Sequence, residues 1–317
     1  MVTPLVSVLL PLYNEPIDFA IKAIDSIINQ SYRNLEIILL LDNPENLELR
    51  SLITDYTHKD NRVVVHINTK NLGLPETLNT GIDLARGEYI ARMDGDDISD
   101  LYRFEIQIDF LLNHHDVDLL GSNAHIIDEK ENIIGEYTNL SSDTCQKIML
   151  RYSSINLIHP TWIGKASLFR SVKYRNIKCI EDYDFMLRAY FCNAKFANLP
   201  NPLLRYRIAQ NIPLSISRKN AYIQYANTIE ARRQYNIARK TGVYPDFPTI
   251  EYTTDDIKKF QEVNYLVNNL RTYVSTKQYF KSIKNIFSIW KIDRRPVISR
   301  LKNNILKILL HLVDKCL

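Results

Sequence analysis

The chain has 317 residues, 45% of them hydrophobic and 24% charged, with a formal net charge of +4. That composition suits a globular protein with a sizeable core and excludes a disordered or fibrous chain. The charge surplus is too small to coat the whole molecule for nucleic acid, so no nucleic-acid partner is expected.

Val6 to Leu12 (VSVLLPL) is an apolar run, as in a strand covered on both faces, and it ends in Tyr13-Asn14-Glu15-Pro16. From Ile17 the period becomes helical, with Phe19, Ala20, Ala23, Ile24, Ile27 and Ile28 on one face. A second strand, Ile37 to Leu41, stops at Asp42-Asn43-Pro44 and is followed by a helix from Leu47 to Tyr56. Val63 to Ile67 is a third strand, ending before Asn71-Leu72-Gly73, and Leu74 to Ala85 is helical. Gly87 opens a fourth strand, Glu88 to Met93, which halts in Asp94-Gly95-Asp96-Asp97. Strands alternating with short helices predict an α/β fold with a Rossmann-like, mostly parallel sheet and ligands at the strand carboxyl ends. All four polar clusters fall on that edge.

Three carboxylates at one strand end raise one another's pKa unless a cation sits among them, and hard oxygen ligands suit Mg²⁺ or Mn²⁺. Gly95 is read as the residue that lets the backbone turn, so that Asp94 and Asp96 face one point. A solvated acidic turn is the competing reading.

Further on, the pattern predicts a helix over Phe104 to Leu112, a strand over Val117 to Leu120 and a hairpin over His125 to Ile134 with its tip at Asp128 to Asn132. A helix from Asp143 to Arg151 precedes the apolar stretch Ile155 to Trp162, which contains His159-Pro160. In Ile180 to Arg188 the helical spacing places Glu181 and Asp182 in a first turn, where free N–H groups favour carboxylates. From Lys219 the chain reads as helices with a break at Val243 to Pro248. The last segment carries Ile298, Leu301, Ile305, Ile308 and Leu312 on one stripe, with Arg300, Lys302 and Lys307 elsewhere. Such a helix either lies in the headgroup region of an anionic membrane or packs its stripe on the rest of the protein.

Cys145, Cys179, Cys192 and Cys316 form no CxxC pair, which suits reduced thiols in a cytoplasmic protein. No apolar run is long enough to span a membrane, and the first lacks the flanks of a signal peptide, so a soluble or peripheral protein is expected.

In combination, VSVLLPLYNE, Asp42 after a strand, NLGLPETLNTGI and GEYIARMDGDDISDLYRFEIQIDFL resemble the N-terminal half of family 2 glycosyltransferases with the GT-A fold. The resemblance implies an inverting transferase that moves a hexose or N-acetylhexosamine from a UDP-sugar to a saccharide acceptor. It implies that Pro11, Tyr13 and Glu15 line the uridine pocket, that Asp42 accepts a hydrogen bond from uracil, and that Asn71, Gly73 and Arg92 belong to the same nucleotide site. Asp94 then lies near the ribose and the metal, and Asp96 on the Mn²⁺ or Mg²⁺ that bridges the diphosphate. EDYDFMLRA followed by KFANLPNPLLRYR resembles the family's ED motif and the strand after it, which implies Asp182 as catalytic base and Glu181 as a residue that positions the acceptor. The HP pair implies acceptor contacts at His159 and Trp162.

Two departures stand out. Leu101 replaces a proline at a helix start, and Ile208-Ala209-Gln210-Asn211 follows Arg205-Tyr206-Arg207 where relatives carry a histidine that holds metal or diphosphate. Water, Gln210 or Arg207 acting on phosphate would substitute, and a weaker metal dependence is expected. The likeness covers residues 3–216. It divides the chain into a catalytic domain (1–216, with a nucleotide half 1–98 and an acceptor half 99–216) and a helical region (217–317). It suggests a lipid-linked acceptor, as in O-antigen, capsule or lipooligosaccharide, handled at the cytosolic face of the inner membrane. A catalytically idle sugar-nucleotide-binding module is the alternative.

Overall fold

The computed structural model describes residues 3–154, 157–208, 220–275, 279–293 and 295–314. Four strands pair in parallel in the order β3-β2-β1-β4: β1 (Val6–Leu12), β2 (Leu35–Leu41), β3 (Val63–Ile67) and β4 (Tyr89–Arg92). Every residue of β1 and β2 is buried, because helices cover both faces. The pleat sorts them: Val6, Val8, Leu10 and Leu12 meet α1 (Ile17–Ile28) and α2 (Leu47–Lys59), whereas Leu9, Ile38 and Leu40 meet Leu78 and Ile82 of α3 (Leu74–Leu84).

The sheet continues beyond β4 in a mixed sense. After β5 (Ile98–Ser99) and α4 (Arg103–Asn113), β6 (Leu119–Ile127) forms a hairpin with β7 (Ile133–Tyr137). Its turn is the expected acidic tip, where Asp128 Oδ1 accepts the N–H groups of Lys130 and Asn132, both at 2.9 Å. Past α5 (Asp143–Tyr152), a 3₁₀ turn at His159–Thr161 feeds β8 (Ile163–Lys165), which lies antiparallel between β4 and β6. A strand of three residues is too short for any periodicity to reveal. α6 (Ala166–Val172) and α7 (Glu181–Phe191) follow, then the 12-residue β9 (Phe196–Arg207), parallel to β6 and paired at its far end with β5.

Four helices complete the described chain: α8 (Ala221–Thr241), α9 (Thr254–Ser275), α10 (Tyr279–Ile292) and α11 (Arg295–Asp314). α8 stops at Gly242, whose φ of 77° suits glycine, at the expected break. α11 docks beside α5, with Leu306 and Leu310 against Leu140, Cys145 and Met149. The Asp314 carboxylate accepts the N–H groups of Ser141 and Ser142, the latter at 2.8 Å. The ridge that packs is therefore not the anticipated stripe: Ile298, Ile305, Ile308 and Leu312 are exposed. Cys145, Cys179 and Cys192 are free thiols, and Cys316 lies outside the described residues. Among the described residues no helix is long and apolar enough to cross a membrane.

Candidate active site

Because β1 to β4 run parallel, their carboxyl ends share one edge, and the polar residues that follow each strand meet there. Pro11, Tyr13, Glu15, Asp42, Asn71, Gly73 and Asp94 line one cavity of about 360 Å³. Asp42 is its fixed point. Its Oδ1 accepts Asn68 Nδ2 at 2.7 Å and the Leu72 N–H at 2.8 Å, and its Oδ2 accepts the Gly73 N–H at 2.9 Å. The last two donors belong to the turn that opens α3, where Gly73 takes φ 85°. A carboxylate offers about four acceptor positions, so Asp42 retains capacity for one more donor at the cavity wall.

The acidic loop sits beside it. One carboxylate oxygen from each of Asp94, Asp96 and Asp97 lies within 4.8 Å of the others. Burial, then the neighbouring Asp94 and Glu15, push Asp96 up to about 7, and burial with Asp94 and Asp96 raises Asp97 well above the carboxylate range. Asp97 Oδ1 accepts the Arg207 N–H at 2.8 Å, while the buried Oδ2 has no hydrogen-bond partner among the described residues. Crowded hard oxygens, one of them orphaned, fit a divalent cation. Asp97 thus joins Asp94 and Asp96, the two metal ligands expected from the sequence, as a third.

Gly95 has a different part from the one expected. Its φ is not positive, but a Cβ there would lie 2.5 Å from Leu12 Cδ2 and 3.2 Å from the Pro11 carbonyl. It lets the acidic loop approach β1 closely; the turn itself makes no demand for glycine.

A second cavity, of about 370 Å³, adjoins the first at Asp94 and takes in Arg92, His159, Glu181 and Asp182. Asp94 thus lines both cavities. Glu181 and Asp182 begin α7, and Asp182 Oδ1 accepts the Tyr183 N–H at 2.7 Å. Burial raises the Asp182 carboxyl, opposed by that N–H and by Arg92. Burial, then Asp182, lift Glu181 to about 7. Arg92 is buried and ion-paired with Asp94; burial opposes its charge, but Asp94 together with Tyr174 and Asp97 holds the guanidinium above its ordinary pKa. One buried cation therefore offsets carboxylates of both cavities.

Two expected contacts need correction. Trp162 is fully buried, edge-on to His159 with ring centroids 4.5 Å apart and tilted against Phe185 at 5.7 Å, so its indole offers no face to a sugar. Arg207 does not reach for phosphate. Its side chain is 1% exposed, with Nε donating to the Asp96 carbonyl at 2.8 Å and Nη1 to the Asp128 carbonyl at 3.2 Å, and it lies over the Phe19 ring. It fastens the acidic loop to the hairpin. Gln210 lies outside the described residues. His159 does line the second cavity, sharing a 2.8 Å hydrogen bond between Nε2 and Tyr174 Oη, and burial followed by Arg92 keeps it neutral.

The aromatic wall of that cavity comes instead from Tyr137 of β7 and Tyr206 of β9, edge-to-face with centroids 5.7 Å apart. Beside them Asn139 presents a buried Nδ2 that has no partner among the described residues. None of the three is marked by a local sequence pattern, because the strand pairing that brings β7 and β9 together joins distant segments. Lys307 of α11 also lines the cavity, so the C-terminal helix is part of the site.

The family model for glycosyl transferase family 2 matches residues 7–173. The chain is 34% identical over 225 residues to an uncharacterized glycosyltransferase of Methanocaldococcus jannaschii, an alignment spanning 70% of this chain and 78% of that protein. It is 32% identical over 200 residues to the O-antigen biosynthesis glycosyltransferase WbnJ of Escherichia coli, covering 62% of this chain and 76% of that one. Among solved structures, S. aureus TarS 1–349 in complex with UDP-GlcNAc superposes with a TM-score of 0.56 at 17% identity, covering 88% of each chain, a likeness of fold. The matched segment runs from β1 through the acidic loop and the 3₁₀ turn to the end of α6, and with these relatives it establishes that the chain belongs to glycosyl transferase family 2 and is a glycosyltransferase.

Proposed function

We propose that the enzyme is an inverting, metal-assisted glycosyltransferase that moves a hexose or N-acetylhexosamine from a UDP-sugar to a saccharide acceptor. The observation that carries this reading is Asp94, the shared wall between a nucleotide-sized cavity and one that holds a half-buried carboxylate pair. Leaving diphosphate and attacking hydroxyl would then approach the sugar from opposite sides. Ionised Asp182 takes the proton of the acceptor hydroxyl as its oxygen bonds to the anomeric carbon, and the bond from that carbon to the diphosphate breaks with its electron pair leaving on UDP. Glu181 orients the acceptor. A divalent cation held by Asp94, Asp96 and Asp97 would supply Lewis-acid stabilisation of the departing diphosphate. Asp97 supplies the third carboxylate where relatives rely on a histidine.

The uridine assignment is supported by the spare acceptor capacity of Asp42 and by the UDP complex of the structural neighbour TarS. Relatives named for O-antigen and amylovoran biosynthesis support a polysaccharide acceptor, which in this reading is lipid-linked and handled at the cytosolic side of a membrane. Residues 1–216 form the catalytic unit in this reading and 217–317 the helical region. Release of UDP from a panel of UDP-sugars tests the donor. Binding without release would favour an idle sugar-nucleotide module.

The orphaned Asn139 amide fits a hydroxyl of the acceptor sugar. Asn139→Ala is expected to raise the acceptor KM about tenfold, the cost of one unmade hydrogen bond at a buried site, with the UDP-sugar KM unchanged. Initial-rate kinetics varying each substrate check this, and an effect confined to the donor KM would contradict it.

A further inference from the structure

The positive charge of this protein is concentrated at one end. Residues 279–314 contain eight lysines and arginines against two aspartates, a surplus of six in a chain whose net charge is +4. The same segment carries the exposed apolar stripe of α11. At 3.6 residues per turn Leu306, Leu310 and Asp314 fall on one line, which is the line docked on α5. Ile298, Ile305, Ile308, Leu309 and Leu312 gather on roughly the opposite side, and the middle members are 57% (Ile305) and 64% (Ile308) exposed. α11 therefore has two apolar faces, of which the docked one is the smaller. Lys307 flanks the docked line and reaches the catalytic cavity, so one helix is at once the wall of the acceptor site and the carrier of the outer stripe.

We propose that the outer face of α11 seats on an anionic phospholipid surface, holding the acceptor cavity about one helix diameter, ~10 Å, above the headgroups. The acceptor's lipid anchor stays in the membrane while its sugar passes over α11 to Glu181 and Asp182. This rests on the glycosyltransferase reading above and adds the surface, its orientation and the lipid chemistry. An apolar stripe flanked by lysines and arginines suits the boundary between headgroups and acyl chains, where both parts find partners. A second copy is the poorer occupant, since pairing through this stripe would bring two segments with a surplus of six positive charges together.

The test uses the full chain and the triple variant Ile305→Asn/Ile308→Asn/Leu312→Asn, at positions whose exposure leaves the core untouched. Wild type is expected to sediment with phosphatidylglycerol-containing vesicles at least tenfold more strongly than with phosphatidylcholine vesicles. The triple variant should lose at least tenfold in that binding, with slow UDP release from the UDP-sugar unchanged. Equal recovery of both proteins in the supernatant overturns the proposal, as does a wild-type dimer in light scattering that the variant converts to monomer without any vesicle binding. Vesicle binding with no UDP released from any UDP-sugar would instead count against the enzymatic reading and leave the membrane surface standing.

Discussion

Asp182→Asn is expected to lower kcat by about 10²–10⁴-fold, the usual range for a general base, while UDP-sugar affinity stays within about twofold. The amide keeps the size and the 2.7 Å bond from the Tyr183 N–H, so α7 retains its start. What it loses is the capacity to hold the acceptor's proton. Asp182 lines the second cavity and not the nucleotide pocket, which is why donor binding should be indifferent to the change. The wild-type pH profile carries a second sign of the same group. Burial raises the carboxyl, so the ionised base is lost on acidification at a pH above the ordinary carboxylate range, and kcat/KM should fall there. Donor-binding calorimetry beside transfer rates separates the two effects. Weakened donor binding with unchanged turnover would remove Asp182 from the base role.

Removing the divalent cation is expected to lower turnover by about 10²-fold or more and to change how stability depends on pH. Asp96, at about 7, and Asp97 have folded-state pKa values raised by burial and then by neighbouring carboxylates, Asp94 foremost. The folded protein therefore binds more protons than the unfolded chain between roughly pH 4 and 7, and in excess chelator its stability should fall as pH rises through that window. Cation binding requires the ionised forms, so Mn²⁺ should stabilise most above pH 7 and least near pH 5. At a hundredfold excess over Kd the gain is about 2.7 kcal/mol. Asp97→Asn should weaken this stabilisation while leaving the Oδ1 bond to the Arg207 N–H available. Thermal melts across pH with and without Mn²⁺ make the comparison. Full activity in excess chelator, with melts indifferent to Mn²⁺, would take the metal out of the mechanism.

The nucleotide half was legible because its signals are local. β1 and β2 are apolar at every position except Ser7 and Glu36, a buried pair joined by a 2.7 Å hydrogen bond, and each run stops abruptly in the polar residues that line the first cavity. The second half depends on pairings that join distant segments. β8 is three residues long, and the tyrosine pair comes from β7 and β9, which meet only once each has paired with β6. Trp162 illustrates a limit of residue type: an indole is equally suited to a sugar platform and to a core, and here Phe185 and His159 take it into the core. The α11 stripe was read correctly as apolar, but periodicity cannot say which of two apolar ridges docks. Here Leu306 and Leu310 meet Leu140, Cys145 and Met149, and Asp314 on the same line accepts the Ser141 and Ser142 N–H groups.

The account stands on one geometric claim, that the diphosphate site and the base address the same sugar from opposite sides. A crystal structure of Asp182→Asn with Mn²⁺ and a UDP-sugar tests it most directly. The expected density shows the cation on Asp94, Asp96 and Asp97, uracil against Asp42, and the anomeric carbon facing position 182 across the second cavity. A sugar turned away from that residue, with its anomeric carbon closed off by protein on the α7 side, would contradict it.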